Sequence, residues 1–148
     1  MYIRKATRED IPEIIRIRKL QLIDEGLSPD IEIDADCHRY FHDMFNQERI
    51  IELFVEDDDR VIATAAIILY DFPPSFSNQT GRKGYVTNMY TDPDYRRQGI
   101  ATKLLEMLDE EAKERGIERL WLGASKWGRS VYEKSGYIAT NEWLDKKL

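Results

Sequence analysis

The stretch Arg96-Arg97-Gln98-Gly99-Ile100-Ala101 decides the fold, because a strand leads into it and a long amphipathic helix leaves it. The strand covers Tyr85–Thr91, and the chain turns at Asp92-Pro93-Asp94. The helix is expected to begin near Gly99 and to end before Gly116. Apolar residues recur along it with helical spacing, which predicts one buried face. These residues are Ile100, Leu104, Leu105, Leu108 and Ala112.

A turn of this composition predicts an anion-binding site. The first amides of a helix have no partner inside the helix, and Gly99 allows an oxyanion to approach the backbone closely. Three or four charge-assisted hydrogen bonds of about 1.5–3 kcal/mol each would hold a diphosphate with roughly micromolar affinity. The phosphate-binding loop of nucleotide hydrolases and the glycine-rich dinucleotide motif are both absent.

This turn resembles the pyrophosphate-binding signature of the GNAT superfamily of N-acetyltransferases, Gln/Arg-x-x-Gly-x-Gly/Ala, as Arg96-x-x-Gly99-x-Ala101. A second block, Leu122-Gly123-Ala124-Ser125 followed by Gly128–Tyr137, looks like that family's fifth strand and fourth helix. The resemblance implies an α/β fold with a mixed, mostly antiparallel twisted sheet flanked by helices on both faces, the acyl-CoA N-acyltransferase fold.

The resemblance also implies a reaction. Acetyl-CoA would be the acetyl donor, without a metal, and a primary amine of a small molecule or a protein would attack it directly. Backbone amides from Arg97 to Thr102 would bind the pyrophosphate, and the pantetheine arm would pair with the edge of the fourth strand. The residues expected to bind the cofactor are Met89, Tyr90, Thr91, Arg96, Arg97, Gln98, Gly99, Ile100, Ala101, Thr102, Ser125, Gly128, Arg129 and Tyr132.

Proton transfer needs an acid and a base. Tyr132 matches the tyrosine that lies near the sulfur in many GNAT enzymes, and a phenol protonated at pH 7 can donate to a thiolate. The alternative for Tyr132 is packing on an apolar face. No base is evident, because Tyr85 stands where some relatives have a glutamate. Possible substitutes, each expected to be solvated surface, are Glu52, Glu56 and Asp71.

The acceptor pocket is expected between the first two helices and the long polar loop Asp71–Gly84. Asn88 would orient substrate or water there, or would satisfy a buried backbone group. Four acidic residues would make the entrance attractive to cations, although a solvated acidic loop explains them equally well. These residues are Asp30, Glu32, Asp34 and Asp36.

Composition narrows the class of protein. The 148 residues fit a single domain, 1–148, and the net charge of −6 argues against nucleic-acid binding. No apolar run is long enough to cross a membrane, and the first residues lack a signal-peptide core. With Cys37 as the one cysteine, a cytoplasmic location is expected. A homodimer is an expectation by analogy with the family.

Several other residues that could bind metal or take part in catalysis have simpler structural explanations. Asp34, His38 and His42 share a helix face, but they are interpreted as surface or substrate-lip residues rather than metal ligands. Cys37 has no base motif around it, and Ser125 is expected to cap the fourth helix or contact the pantetheine arm. Three tryptophans are expected in core and rim packing: Trp121, Trp127 and Trp143. The rival functions are a non-catalytic acyl-CoA sensor or interaction module on the same fold, and an unrelated nucleotide-binding domain.

The remaining pattern predicts the order of elements. A strand at Tyr2–Ala6 is followed by a helix that Thr7 caps, with Asp10 in a capping box. The other expected elements are a helix at 34–46, hairpin strands at 50–56 and 60–70, a strand at 119–122, a helix at 128–135, and final strands at 137–140 and 143–148.

Overall fold

A computed structural model describes residues 1–148 and places five strands in one sheet, in the order β1-β2-β3-β4-β5. The strands are β1 (Tyr2–Lys5), β2 (Ile50–Asp57), β3 (Arg60–Asp71), β4 (Arg82–Thr91) and β5 (Leu120–Trp121). The helices are α1 (Ile11–Asp24), α2 (Asp34–Asn46), α3 (Ile100–Glu114) and α4 (Arg129–Lys134), with short 3-10 turns at Arg8–Asp10 and Pro93–Tyr95.

The sheet is mixed and mostly antiparallel, as expected. β1 to β4 pair with antiparallel neighbours, whereas β5 runs parallel to β4 after the crossover through α3. The helix starts follow local chemistry: the Thr7 amide donates to the Asp10 carboxylate at 2.8 Å ahead of α1, and Pro12 occupies the first turn. The positive φ of Gly116, +69°, lets the chain leave α3 where the sequence predicts its end.

Both faces of the sheet are covered by helices. Alternate residues of β2 divide between them, with Leu53 packed in the cluster that contains α3 and Phe54 packed in the cluster that contains α1 and α2. Ala63, Ala65 and Ala66 in β3 have no exposed surface. The small side chains there let the helices lie close to the sheet, and two cores form around it.

A β-bulge interrupts β4 at the middle of the sheet. The register against β3 shifts between Thr64 and Ala66, whose partners are Tyr90 and Thr87. Asn88 lies in the bulge at φ +53°, a left-handed conformation that asparagine tolerates better than most residues. The bulge therefore aims the buried Asn88 side chain at the α1 face.

β4 and β5 separate after a short contact. Only Gly84 with Leu120 and Tyr85 with Trp121 are paired. A Cβ on Gly84 would lie 2.6 Å from the Leu120 Cδ2, so glycine is needed for the close approach. Past Tyr85 the β5-facing edge of β4 has no strand partner.

Two expectations about the C-terminal region are wrong. Residues 137–148 contain no strand, and β5 is reduced to two residues. The side chains of Ile138, Leu144 and Leu148 are exposed. Trp143 instead stacks on Trp121 with ring centroids 5.2 Å apart. No helix of the structure combines the length and the apolar character needed to cross a membrane.

Candidate active site

The turn before α3 presents free backbone donors. Gly99 lies at φ +80° and Arg97 at φ +62°, so the chain enters the helix through two left-handed residues. The first amide that donates inside the chain is that of Lys103, to the Gly99 carbonyl at 3.0 Å. No amide from Arg97 to Thr102 donates a hydrogen bond within the chain. This run of amides at a helix N-terminus fits a diphosphate.

The two arginines of the turn differ in their contacts. The Arg96 Nε donates to the Thr91 carbonyl at 2.9 Å, and its Nη2 lies 3.0 Å from the Asp24 Oδ2 at the end of α1. Arg97 is exposed and makes no ion pair. Arg97 is therefore the cation that is free to meet a phosphate, whereas Arg96 ties the turn to α1.

A glycine-containing turn leads from β5 into α4. The Ser125 Oγ accepts from the Gly128 amide at 3.2 Å in the turn before α4, but the N-cap of the helix is Gly128, so the expectation that Ser125 caps it is wrong. A Cβ on Gly128 would lie 2.9 Å from the Tyr132 ring. The Arg129 Nε donates to the Glu133 carboxylate at 2.7 Å, one turn along the helix. Gly128 thus allows the Tyr132 ring to lie close to the backbone at the helix start.

Tyr132 carries its proton at any physiological pH. Burial raises the pKa of Tyr132 to about 12, and the nearby Glu25 and Tyr85 add smaller upward contributions. The hydroxyl makes no hydrogen bond within the chain, while the ring packs edge-on against Tyr137 at 6.0 Å. A protonated phenol with an unused donor suits a general acid.

Glu52 is fully buried, so the expectation of a solvated surface residue is wrong for it. Its carboxylate accepts from the Thr64 hydroxyl at 2.7 Å and from the Asn88 Nδ2 at 3.0 and 3.2 Å. The Asn88 Oδ1 accepts from the Arg18 Nη1 at 2.8 Å. Burial raises the pKa of Glu52 to about 7. Asn88 therefore makes its hydrogen bonds to the side chains of Glu52 and Arg18. The alternative expectation, that it satisfies a buried backbone group, is wrong.

One signal in the sequence pointed to the buried position of Glu52. It alternates with Ile50 and Phe54 in a run that is apolar on both faces, and it therefore shares their side of β2. The other two candidate bases are elsewhere. Glu56 pairs with Arg4 at 2.9 Å, and the exposed Asp71 pairs with Arg49 at 2.9 Å.

A cavity of about 630 Å³ lies between α1, α2 and the sheet, where the acceptor was expected. Polar groups from Arg18, Thr87 and Asn88 meet mostly aromatic and aliphatic walls. No residue of the Asp71–Gly84 loop lines the cavity, so the expectation that this loop forms a wall is wrong. The loop closes on itself instead, with the Phe72 amide donating to the Gly81 carbonyl at 2.8 Å.

The structure leaves several other candidate residues outside this arrangement. His38 and His42 are exposed on α2 with their rings stacked 6.2 Å apart. Cys37 lines the cavity, a position that its sequence context did not indicate, and burial raises the pKa of its thiol. The tryptophans do not lie in the core, since Trp121, Trp127 and Trp143 are 38%, 81% and 56% exposed. Trp121 forms part of the cavity wall instead.

Comparison with known proteins gives one family. Residues 14–137 match the family model described as the acetyltransferase (GNAT) family. A crystal structure described as a predicted acetyltransferase with acetyl-CoA, from Clostridium acetobutylicum, is 50% identical and covers 99% of this chain and 95% of its own, with a TM-score of 0.96.

Two enzymes with known activities are also similar in sequence. The thialysine N-epsilon-acetyltransferase of Mus musculus is 27% identical over 98% of this chain and 86% of its own length. The ribosomal protein bS18-alanine N-acetyltransferase of Escherichia coli strain K12 is 40% identical over 53 residues, which are 34% of this chain and 36% of its own length.

Proposed function

Because the chain belongs to the acetyltransferase (GNAT) family, we propose that it transfers the acetyl group of acetyl-CoA to a primary amine by direct attack. The observation that carries the proposal is the run of free amides from Arg97 to Thr102 beside the open edge of β4. A 50% identical acetyltransferase crystallised with acetyl-CoA supports the same donor.

The donor site uses backbone groups more than side chains. Amides from Arg97 to Thr102 bind the pyrophosphate, and Arg97 adds the unpaired charge. The unpaired edge at Met89, Tyr90 and Thr91 receives the pantetheine arm as an added strand. The thioester is thereby directed toward the bulge, where the acceptor cavity begins.

Two side chains have separate roles in the proposed reaction: Tyr132 donates a proton and Asn88 orients the amine. Acetyl-CoA supplies an activated acyl group and a thiolate leaving group. As the carbon–sulfur bond breaks, Tyr132 donates its proton to that thiolate; the amine releases its own proton to solvent water as the C–N bond forms, and Tyr132 regains a proton from solvent. The Asn88 Oδ1, held on one side by Arg18, has a second lone pair that accepts from the incoming amine. This contact orients the nitrogen for attack. The Asn88 side chain is itself held in place, because its Nδ2 donates to the Glu52 carboxylate.

Calorimetry and a thiol-release assay test the proposal together. Acetyl-CoA is titrated into the protein, and release of free thiol is followed over a panel of amines that includes thialysine, spermidine, lysine, an aminoglycoside and an alanine-starting peptide. We expect micromolar binding and release with at least one amine. Binding without release for every amine would favour the acyl-CoA sensor, and displacement by ATP would favour the nucleotide-binding alternative.

The proposal also includes the domain organisation, the oligomeric state and the location of the protein. We expect one catalytic domain over residues 1–148, a homodimer, and a cytoplasmic enzyme acting on a small-molecule or protein amine. Sedimentation velocity tests the dimer, because a monomer of 17.5 kDa and its dimer separate clearly.

A further inference from the structure

Arg18 is a cation without an acidic partner inside the acceptor cavity. It lies on α1, half-buried, and its Nη1 donates to the Asn88 Oδ1 at 2.8 Å. That is its one hydrogen bond, and no carboxylate lies within 4.0 Å of it. A guanidinium has five N–H donors, so most of the donors of Arg18 are unused within the chain.

The surrounding acids do not neutralise Arg18. Glu52 lies on the far side of Asn88, with its carboxylate occupied by Thr64 and Asn88. Burial raises the pKa of Glu52 to about 7, so this carboxyl is only partly charged near neutral pH. Asp36 also lines the cavity, but it pairs with Arg39 at 2.7 Å on the exposed rim.

The other walls of the cavity are apolar. Aromatic rings from α2, β3, β4 and β5 face aliphatic side chains from α1 and β3. A ligand that fills this space must have an apolar body as well as a group that Arg18 recognises. The wall residues are Leu22, Tyr40, Ile68, Tyr70, Tyr85 and Trp121.

We infer that the acceptor is a small amine that also carries a carboxylate, bound by Arg18, and an apolar side chain held between the aromatic walls. Guanidinium and carboxylate form a charge-assisted fork, the strongest pairing available to this side chain. Arg18 contacts the same Asn88 that orients the amine, so amine and carboxylate must be separated by few bonds, as in an α-amino acid. This inference rests on the proposed function, because it names the substrate class of that site.

Two matched ligand pairs test the role of Arg18. In the first, thiol release is compared for L-phenylalanine and L-phenylalaninamide. In the second, N-acetyl-L-phenylalanine and its amide are titrated calorimetrically into the protein loaded with coenzyme A, a measurement that needs no turnover. We expect the carboxylate to be favoured at least tenfold in kcat/KM and in Kd.

The variant Arg18→Gln should bring both ratios close to one, and Arg18→Lys should leave an intermediate preference because a charge remains without the fork. Arg16→Gln is the control, since it removes an arginine that pairs with Glu13 outside the cavity, and it should keep the wild-type ratios. Equal binding of acid and amide by the wild type would overturn the inference, as would loss of the preference in Arg16→Gln.

The two proposals fail differently. Thiol release with thialysine or spermidine but no preference for a carboxylate would leave the acetyltransferase function standing and remove the role of Arg18. Acid-selective binding without release for any amine would keep the carboxylate site and remove the transferase proposal.

Discussion

At the scale of single residues, Glu52 has the environment that is most costly for its charge. Its carboxylate is buried between β2 and α1 and receives hydrogen bonds only from the neutral Thr64 and Asn88. The positive charge of Arg18 acts from beyond Asn88, without direct contact. A buried carboxyl with neutral donors binds its proton more tightly than in water, which is why its pKa rises to about 7.

The raised pKa predicts a stability that depends on pH. The pKa of about 7 in the folded protein exceeds the ordinary value of 4.5, so the folded state keeps a proton that the unfolded state releases between these values. The Glu52 contribution therefore makes stability fall as pH rises through this window and level off above it. The full effect amounts to about 3 kcal/mol.

Glu52→Gln should remove this dependence. Glutamine keeps an acceptor for Asn88 and offers a donor to Thr64, so the variant should be more stable than the wild type at pH 8 and close to it at pH 5. Urea midpoints at both pH values measure the difference. The same pH dependence in Glu52→Gln as in the wild type would show that Glu52 is not its source.

Tyr132→Phe removes the unused phenol proton and keeps the ring that packs on Gly128 and Tyr137. We expect kcat to fall by about 10²–10³-fold, the range of a positioned general acid, while the Kd for acetyl-CoA changes less than threefold. Steady-state kinetics with the best amine and calorimetry with acetyl-CoA provide both numbers. Unchanged turnover would exclude Tyr132 as the acid.

At the scale of elements, the turn before α3 combines backbone conformation with binding. A side chain at Gly99 would meet no atom within 4 Å, so a substitution there acts through the left-handed φ of +80°. Relieving that φ would rotate the amides of Arg97 to Thr102, which we propose bind the diphosphate. Conformation, not space, is the reason for glycine at this position.

Gly99→Ala should destabilise the protein by about 1 kcal/mol and weaken acetyl-CoA binding at least tenfold. Gly116→Ala is a matched control at the other end of α3, because it has the same open surroundings and φ +69°. It should cost similar stability and leave the affinity unchanged. Thermal unfolding and calorimetry on both variants separate the two effects, and equal affinities would remove Gly99 from the donor site.

An element can be predicted from the sequence when residues close together in the chain determine it. α2 begins and ends where the sequence predicts, at Asp34 and Asn46, and α3 follows its leucine spacing and Gly116. The bulge at Asn88 was not foreseen, because a register shift depends on the neighbouring β3 and leaves no local turn signal. The strands expected after Tyr137 are absent, because an alternating pattern along the chain does not by itself establish pairing with a neighbouring strand.

The same distinction holds for the site. The turn proposed to bind the diphosphate is continuous in sequence, so the motif alone predicts its residues. The network of Glu52, Thr64, Asn88 and Arg18 joins three strands and a helix, so that no spacing along the chain reveals it.

At the scale of the whole molecule, the chain beyond α3 is attached to the sheet by few contacts. β5 pairs with β4 at two positions, while β3 and β4 pair along most of their lengths. Apart from the stacking of Trp143 on Trp121, the segment 138–148 is largely exposed. Stability is therefore distributed unevenly between the two parts of the chain.

Hydrogen exchange should reveal this difference. We expect amides of residues 120–148 to exchange at least tenfold faster than those of β2 and β3, and acetyl-CoA to slow exchange in α4, where Tyr132 lies. Mass spectrometry of peptic fragments measures both. Uniform protection along the chain would contradict this prediction.

The ion pair between Arg96 and Asp24 has a thermodynamic consequence, since α1 carries Asp24 at one end and Arg18 nearer its middle. The helix α1 thus contacts both of the sites that we propose for the donor and the acceptor. A shift of Arg96 toward a bound phosphate would change its ion pair with Asp24 on α1. The affinities for donor and acceptor should accordingly be coupled, and thermodynamic linkage then requires that each ligand change the affinity for the other by the same factor.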